Sequence, residues 1–143
     1  MKFNSYMEYA LNEAKKAFLE DEVPVGAVIV RNGEIVSFAH NKCENNNVLY
    51  HAEMIAINDA LNKLKRRYLD DCELYVTLEP CAMCTGAIIH SKIKRVYIGA
   101  LDEKEGFCGG KDNLLLNTKT EVYHGIKEDE CKTLIKEFFN QKR

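Results

Sequence analysis

No stretch of this sequence stays apolar for long. The longest apolar run, Val23 to Val30, is broken by Pro24 and Gly26, well short of the roughly 20 residues that a membrane-spanning helix needs. Proline occurs only twice, and there is no low-complexity tract or internal repeat, which excludes proline-rich linkers and solenoid architectures. Met1-Lys2 leads into a charged, amphipathic pattern without the apolar core of a secretion signal. The expectation is therefore a cytoplasmic protein whose six cysteines stay reduced and form no disulfide framework. A strong net charge is also missing: 20 Lys+Arg against 22 Asp+Glu leaves −2 at pH 7. A nucleic-acid partner would thus have to be held by a local patch. The remainder is ordinary globular composition, 46% hydrophobic and 29% charged over 143 residues. One domain over residues 1–143 is expected, burying about 68–70% of its unfolded surface.

Against this background one pair of motifs stands out, His51-Ala52-Glu53 and Pro80-Cys81-Ala82-Met83-Cys84. One imidazole and two thiolates are ligands that zinc prefers, and three protein ligands leave a fourth tetrahedral position open to water. Glu53 is not needed to complete such a ligand set. A water activated by the metal needs a nearby base, and Glu53 is the candidate. H-x-E followed by P-C-x-x-C is the known signature of zinc nucleobase deaminases. A C-x-x-C alone also fits structural zinc or a redox dithiol. A structural site would want a fourth ligand, and His40, His90 and Cys108 do not stand at regular ligand spacing from the other three.

The periodicity predicts the order αββαβαβ(loop)βα. Ser5 and Glu8 read as a capping box opening a helix with Met7, Ala10, Leu11, Ala14, Ala17 and Phe18 on one face. Val25 to Val30 and Ile35 to Ala39 read as antiparallel strands joined by the hairpin pair Asn32-Gly33. Asn41 to Asn47 reads as a surface loop before a helix starting near His51, and Cys72 to Leu78 as the third strand. Pro80 is expected at the first helical position, with Cys81 and Cys84 in that helix's first turn. Residues two apart, such as His51 and Glu53, meet one metal only off a helix end, which places the site between two helix N-termini. Ile93 to Ile98, Thr120 to Tyr123 and Glu128 to Phe139 complete the order as strand, strand and helix. This order implies a three-layer α/β/α sandwich on a mixed sheet of about five strands.

Taken with Val23-Pro24-Val25-Gly26-Ala27-Val28, Asn41, Tyr75-Val76-Thr77-Leu78-Glu79, Gly86-Ala87 and Gly99-Ala100-Leu101-Asp102, these motifs resemble the tRNA-specific adenosine deaminases of the cytidine deaminase-like fold. The resemblance implies one Zn2+ per chain on His51, Cys81 and Cys84, with Glu53 as proton shuttle. It further implies Asn41 on the flipped nucleoside, Asp102 on the neighbouring RNA, and adenosine-to-inosine conversion at the wobble position of a tRNA anticodon loop. A homodimer, or a heterodimer in the eukaryotic branch, belongs to the same expectation. Two stretches depart from the family pattern: Asn47-Val48-Leu49-Tyr50, where the family usually has Asp-Pro-Thr-Ala, and a shortened segment between Gly110 and Val122. The Pro80 to Ile89 stretch is also similar to fungal-type cytosine deaminases, and guanine deaminases share the ligands. A free-base (cytosine or guanine) deaminase is thus the alternative, and a zinc-stabilised binding module or partner subunit the non-enzyme one.

Lys63, Lys65, Arg66 and Arg67, with Lys142 and Arg143, are candidate phosphate contacts, although cations at a helix end also answer its dipole. Phe138 and Phe139 read as half core and half exposed. Cys43 reads as exposed and, like Cys72, Cys108 and Cys131, carries no assigned chemistry. Ile88, Ile89 and Ile93 beside the Cys81 helix are the expected dimer surface.

Overall fold

The structure is a computed structural model that describes residues 2–142. The elements are α1 (Lys2–Leu19), β1 (Gly26–Arg31), β2 (Glu34–His40), α2 (Ala52–Leu64), β3 (Cys72–Leu78), α3 (Ala82–Ser91), β4 (Arg95–Ala100), β5 (Glu121–His124) and α4 (Glu128–Gln141). Their sequence is the predicted one, on a single five-stranded sheet ordered β2-β1-β3-β4-β5. β1 runs antiparallel to both β2 and β3, whereas β3, β4 and β5 are parallel. The β1–β2 hairpin turns through Asn32 (φ 50°) and Gly33 (φ 79°), the two left-handed positions that an Asn-Gly pair supplies at little cost.

Alternation along the strands builds two cores. Ala27, Ile29, Leu74, Val76, Val96 and Ile98 face one side and pack with Ala52, Ala56 and Ala60 of α2 and Ile88 of α3. Val28, Val30, Tyr75 and Tyr97 face the other side and pack with Met7, Ala10 and Leu11 of α1 and Cys131 of α4. Period-two burial on both faces is what a central sheet between helical layers requires. Parallel register aligns Tyr75, Tyr97 and Tyr123, whose rings stack at 4.5 and 5.3 Å between centroids.

Several boundaries differ from the periodicity. Ser5 lies inside α1 and does not cap it, because Phe3, two residues earlier, stacks on Tyr97 at 5.2 Å and carries the helix further back. Pro80 precedes the N-cap of α3 instead of opening the helix, and Cys81 is itself the N-cap (φ −73°, ψ 179°). Ile88 and Ile93 are 0% and 1% exposed within the chain's own core, and Ile89 packs against that core. The isoleucine surface expected for dimerisation is therefore not free. Part of the basic cluster is also committed: Arg66 pairs with Asp70 and Asp71, Lys63 Nζ donates to the Val36 carbonyl, and Lys142 pairs with Asp21. Arg143 lies outside the described residues. Phe138 is buried against Phe18, and Phe139 is half exposed. Among the described residues, no helix is long and apolar enough to cross a membrane.

Candidate active site

The N-termini of α2 and α3 meet at the carboxyl end of β3. His51 is the N-cap of α2, held by its amide donating to the Leu49 carbonyl at 2.9 Å. Cys81 caps α3, and Cys84, fully buried, sits in that helix's first turn. The geometry expected for ligands at two helix ends is the geometry found. His51 Nδ1 lies 3.7 Å from Cys81 Sγ and 3.6 Å from Cys84 Sγ. All three ligand atoms fall within 4.8 Å of one another. A tetrahedral ion with zinc's usual bond lengths sets its nitrogen and sulfur ligands about 3.6 Å apart, so these residues fit zinc.

The other candidate ligands stand elsewhere. His40 places its two ring nitrogens 3.0 and 2.9 Å from Glu13 and Glu20. His90 is exposed at the far end of α3, and Cys108 lies 3.5 Å from the Thr85 hydroxyl. Among the described residues only His51, Cys81 and Cys84 form a group able to hold a metal. A structural four-ligand site has no fourth member here.

The electrostatics suit a cation. A hydrogen bond from the Cys84 thiol, with a second from His51, holds Cys81 down to about 3. The same bond to Cys81, with burial, pushes Cys84 up, and the contact with Cys81 raises His51. The three groups thus share protons that an incoming metal displaces. Glu53 touches this exchange through the Cys84 thiol but gives no ligand atom to the trio. It is 3% exposed, its Oε1 is the buried side-chain atom left without a hydrogen-bond partner among the described residues, and burial pushes its carboxyl up to about 7. An unpaired carboxylate oxygen in such a place is costly unless a metal, water or substrate completes it.

A cavity of about 240 Å³ opens onto this group, below the usual range for drug-sized ligands and in scale with one base. Asn41, Cys43, Asp102 and Glu105 line it together with His51, Glu53, Glu79 and Cys81. Asn41 Oδ1 accepts from the Ala52 amide at 2.8 Å. This capping bond fixes the carboxamide and leaves its NH2 as the donor for a ligand. Asp102 Oδ1 accepts from the amides of Lys104 and Glu105, both at 3.1 Å, so Asp102 shapes its own turn as well as lining the cavity. Asn41 is buried although it opens the predicted surface loop, and Cys43, expected to be exposed, is half-buried at the cavity wall.

Two of the buried carboxylates that escaped the sequence reading hold loops in place. Glu22, 1% exposed, accepts from the Glu44 amide at 2.9 Å and holds the Asn41 loop. Glu79, 3% exposed, accepts from the amides of Asp102, Cys108 and Gly110. Their partners are backbone amides of distant segments, which carry no residue signature. The one available signal was a carboxylate directly before Pro80-Cys81, followed later by a glycine-bearing loop without strand or helix periodicity.

The family described as the cytidine and deoxycytidylate deaminase zinc-binding region matches residues 1–100. This chain is 46% identical over 144 residues to the tRNA-specific adenosine deaminase of Rickettsia felis, covering 96% of this chain and 100% of that protein. A structure from studies of A-to-I editing by tRNA:A34 deaminases at the wobble position of transfer RNA aligns with a TM-score of 0.84 at 38% identity, over 91% of this chain and 98% of that one. The guanine deaminase of Nitrosomonas europaea aligns with a TM-score of 0.83 over 94% of this chain and 83% of that one. It is 23% identical, a likeness of fold alone. Identity at the level of the rickettsial enzyme, along nearly the whole of both chains, is shared ancestry of the entire catalytic unit: this chain belongs to the tRNA-specific adenosine deaminase family of zinc-dependent deaminases.

Proposed function

We propose that this chain hydrolyses adenosine to inosine at the wobble position of a tRNA anticodon loop, with His51, Cys81 and Cys84 holding one zinc ion and Glu53 moving the protons. The observation that carries the reading is the partnerless, fully enclosed Oε1 of Glu53 beside the three ligand atoms. Zinc supplies Lewis acidity that makes water nucleophilic near neutral pH. Glu53 accepts the proton of the water that attacks C6 of adenine. It then delivers protons to the ring nitrogen and to the amine, which leaves as ammonia, so adenosine and water become inosine and ammonia. A group whose burial places its titration close to neutrality suits both halves of that exchange. The Asn41 NH2 binds the nucleoside and Asp102 meets the adjoining nucleotide. An anticodon loop presents its bases already outside a duplex, which lowers the cost of extruding one.

A free base is the competing substrate, and salt separates the two. RNA brings phosphates, so kcat/KM on an anticodon stem-loop should fall linearly on logarithmic axes as salt rises. Release of ammonia from cytosine or guanine would be nearly indifferent to salt. With Arg66, Lys63 and Lys142 committed to partners within the chain, the slope should be shallow. Salt-insensitive turnover of a free base without inosine in the stem-loop overturns the reading.

The active form is a homodimer in the cytoplasm. Val48, Leu49 and Tyr50, directly before His51, and Leu114 and Leu116 in the segment between β4 and β5 are exposed apolar side chains, the kind of surface that a second subunit covers. They take the place of the buried isoleucines as the expected contact. Sedimentation at micromolar concentration should show a dimer, and a monomer alone would remove this element.

A further inference from the structure

We infer that Glu79 is a positioning residue for RNA: by clamping the backbone of residues 102–110, it fixes the cavity wall that meets the nucleotide beside the reacting one. This rests on the RNA reading above. Glu79 follows the last residue of β3, and its amide donates to the Ala100 carbonyl at 2.9 Å, so its backbone is set by the β3–β4 ladder. Its side chain turns into the segment leaving β4. Oε1 accepts from the Asp102 amide at 2.8 Å, and Oε2 accepts from the amides of Cys108 at 2.8 Å and Gly110 at 2.7 Å.

That segment has no helix or strand, only an isolated bridge from Cys108 to Asn113. It closes on itself through the Gly106 amide to the Asp102 carbonyl at 2.8 Å and the Lys111 amide to the Gly106 carbonyl at 2.9 Å. A Cβ at Gly106 or Gly110 would overlap the Glu79 carboxylate, so the chain wraps this group as closely as bare backbone can. Charge-assisted bonds from three amides are stronger than neutral ones. Without them the segment would hold its shape mainly through its own turns and the Phe107 amide on the Pro80 carbonyl. The clamp has a consequence at the site because Asp102 and Glu105, on the clamped segment, line the cavity, while Glu79, at the same wall, has both carboxylate oxygens taken by the three amides. Glu79 acts through them. The chemistry of proton transfer stays with Glu53.

Glu79→Gln replaces one acceptor oxygen by an NH2 that faces an N–H donor. KM for an anticodon stem-loop should rise about tenfold or more, the scale of one lost charge-assisted bond. kcat should fall less than about threefold and zinc should stay near one per chain, since no ligand moves. Amide exchange at Asp102, Cys108 and Gly110 should quicken in the same variant with no substrate present. Gly110→Ala, which pushes the loop off the carboxylate from the other side, should raise KM similarly. The double variant should resemble either single one, because both break the same contact. Unchanged KM, unchanged exchange, a fall in kcat at constant KM, or loss of zinc from Glu79→Gln would each overturn the proposal. If Glu79→Gln does not fold, the KM and kcat of Gly110→Ala decide it. Wild-type protein forming no inosine in the stem-loop sinks the functional reading instead, while the exchange experiment still decides whether the clamp exists.

Discussion

Glu53→Gln is expected to keep about one zinc per chain while losing deamination by a factor on the order of 10²–10⁴ or more, the usual contribution of a positioned proton carrier. The substitution is nearly isosteric at a 3% exposed position and replaces the partnerless oxygen with a group that cannot take a proton from water. Zinc retention follows from Glu53 standing outside the trio of ligand atoms. Metal analysis and turnover on the same preparation check both halves. A variant that stays active would assign the proton transfer to another group, whereas wild-type protein inactive on every base would favour a binding module over an enzyme.

Cys84→Ala should have the opposite signature. Cys84 is 0% exposed to solvent, on the first turn of α3, 3.6 Å from His51 Nδ1. Removing its thiolate leaves two ligands, and zinc affinity should fall by at least the 10–100-fold associated with disturbing even the outer partners of a zinc site. Activity should fall with zinc content. Because a ligand bound only by the folded state raises stability by mass action, the wild-type Tm should rise with added zinc and fall on chelation. Cys84→Ala should not respond to either, and Glu53→Gln should respond as the wild type does. Equal zinc response in all three proteins would contradict the ligand assignment.

The parts of this molecule that were legible in the sequence are those whose signal is local. Cys72 to Leu78 alternates between two buried faces, and β3 occupies that span. Asn32-Gly33 fixes a turn by its backbone freedom alone. His51, Cys81 and Cys84 announce themselves because few residue types bind zinc and the C-x-x-C spacing suits one helix N-terminus. What stayed hidden depends on partners far along the chain. Phe3 carries α1 past Ser5 because Tyr97 waits on β4. Ile88 looked like surface because helical spacing gives a face but not what covers it, and here the sheet does. Glu79 and Glu22 carry no signal of their own until the fold brings backbone amides to them. Asn41 combines both kinds of signal, since its capping bond to Ala52 spans the loop that the sequence treats as solvent-facing.

The most direct test is to incubate zinc-loaded wild-type protein with an anticodon stem-loop carrying adenosine at the wobble position, in heavy-oxygen water, and to measure inosine, ammonia and label together. Hydrolytic deamination by Glu53 and zinc predicts inosine and ammonia in equal amounts, with the heavy oxygen on C6 of the inosine and both products lost in Glu53→Gln. Ammonia released from cytosine or guanine with the stem-loop left unchanged would contradict the account.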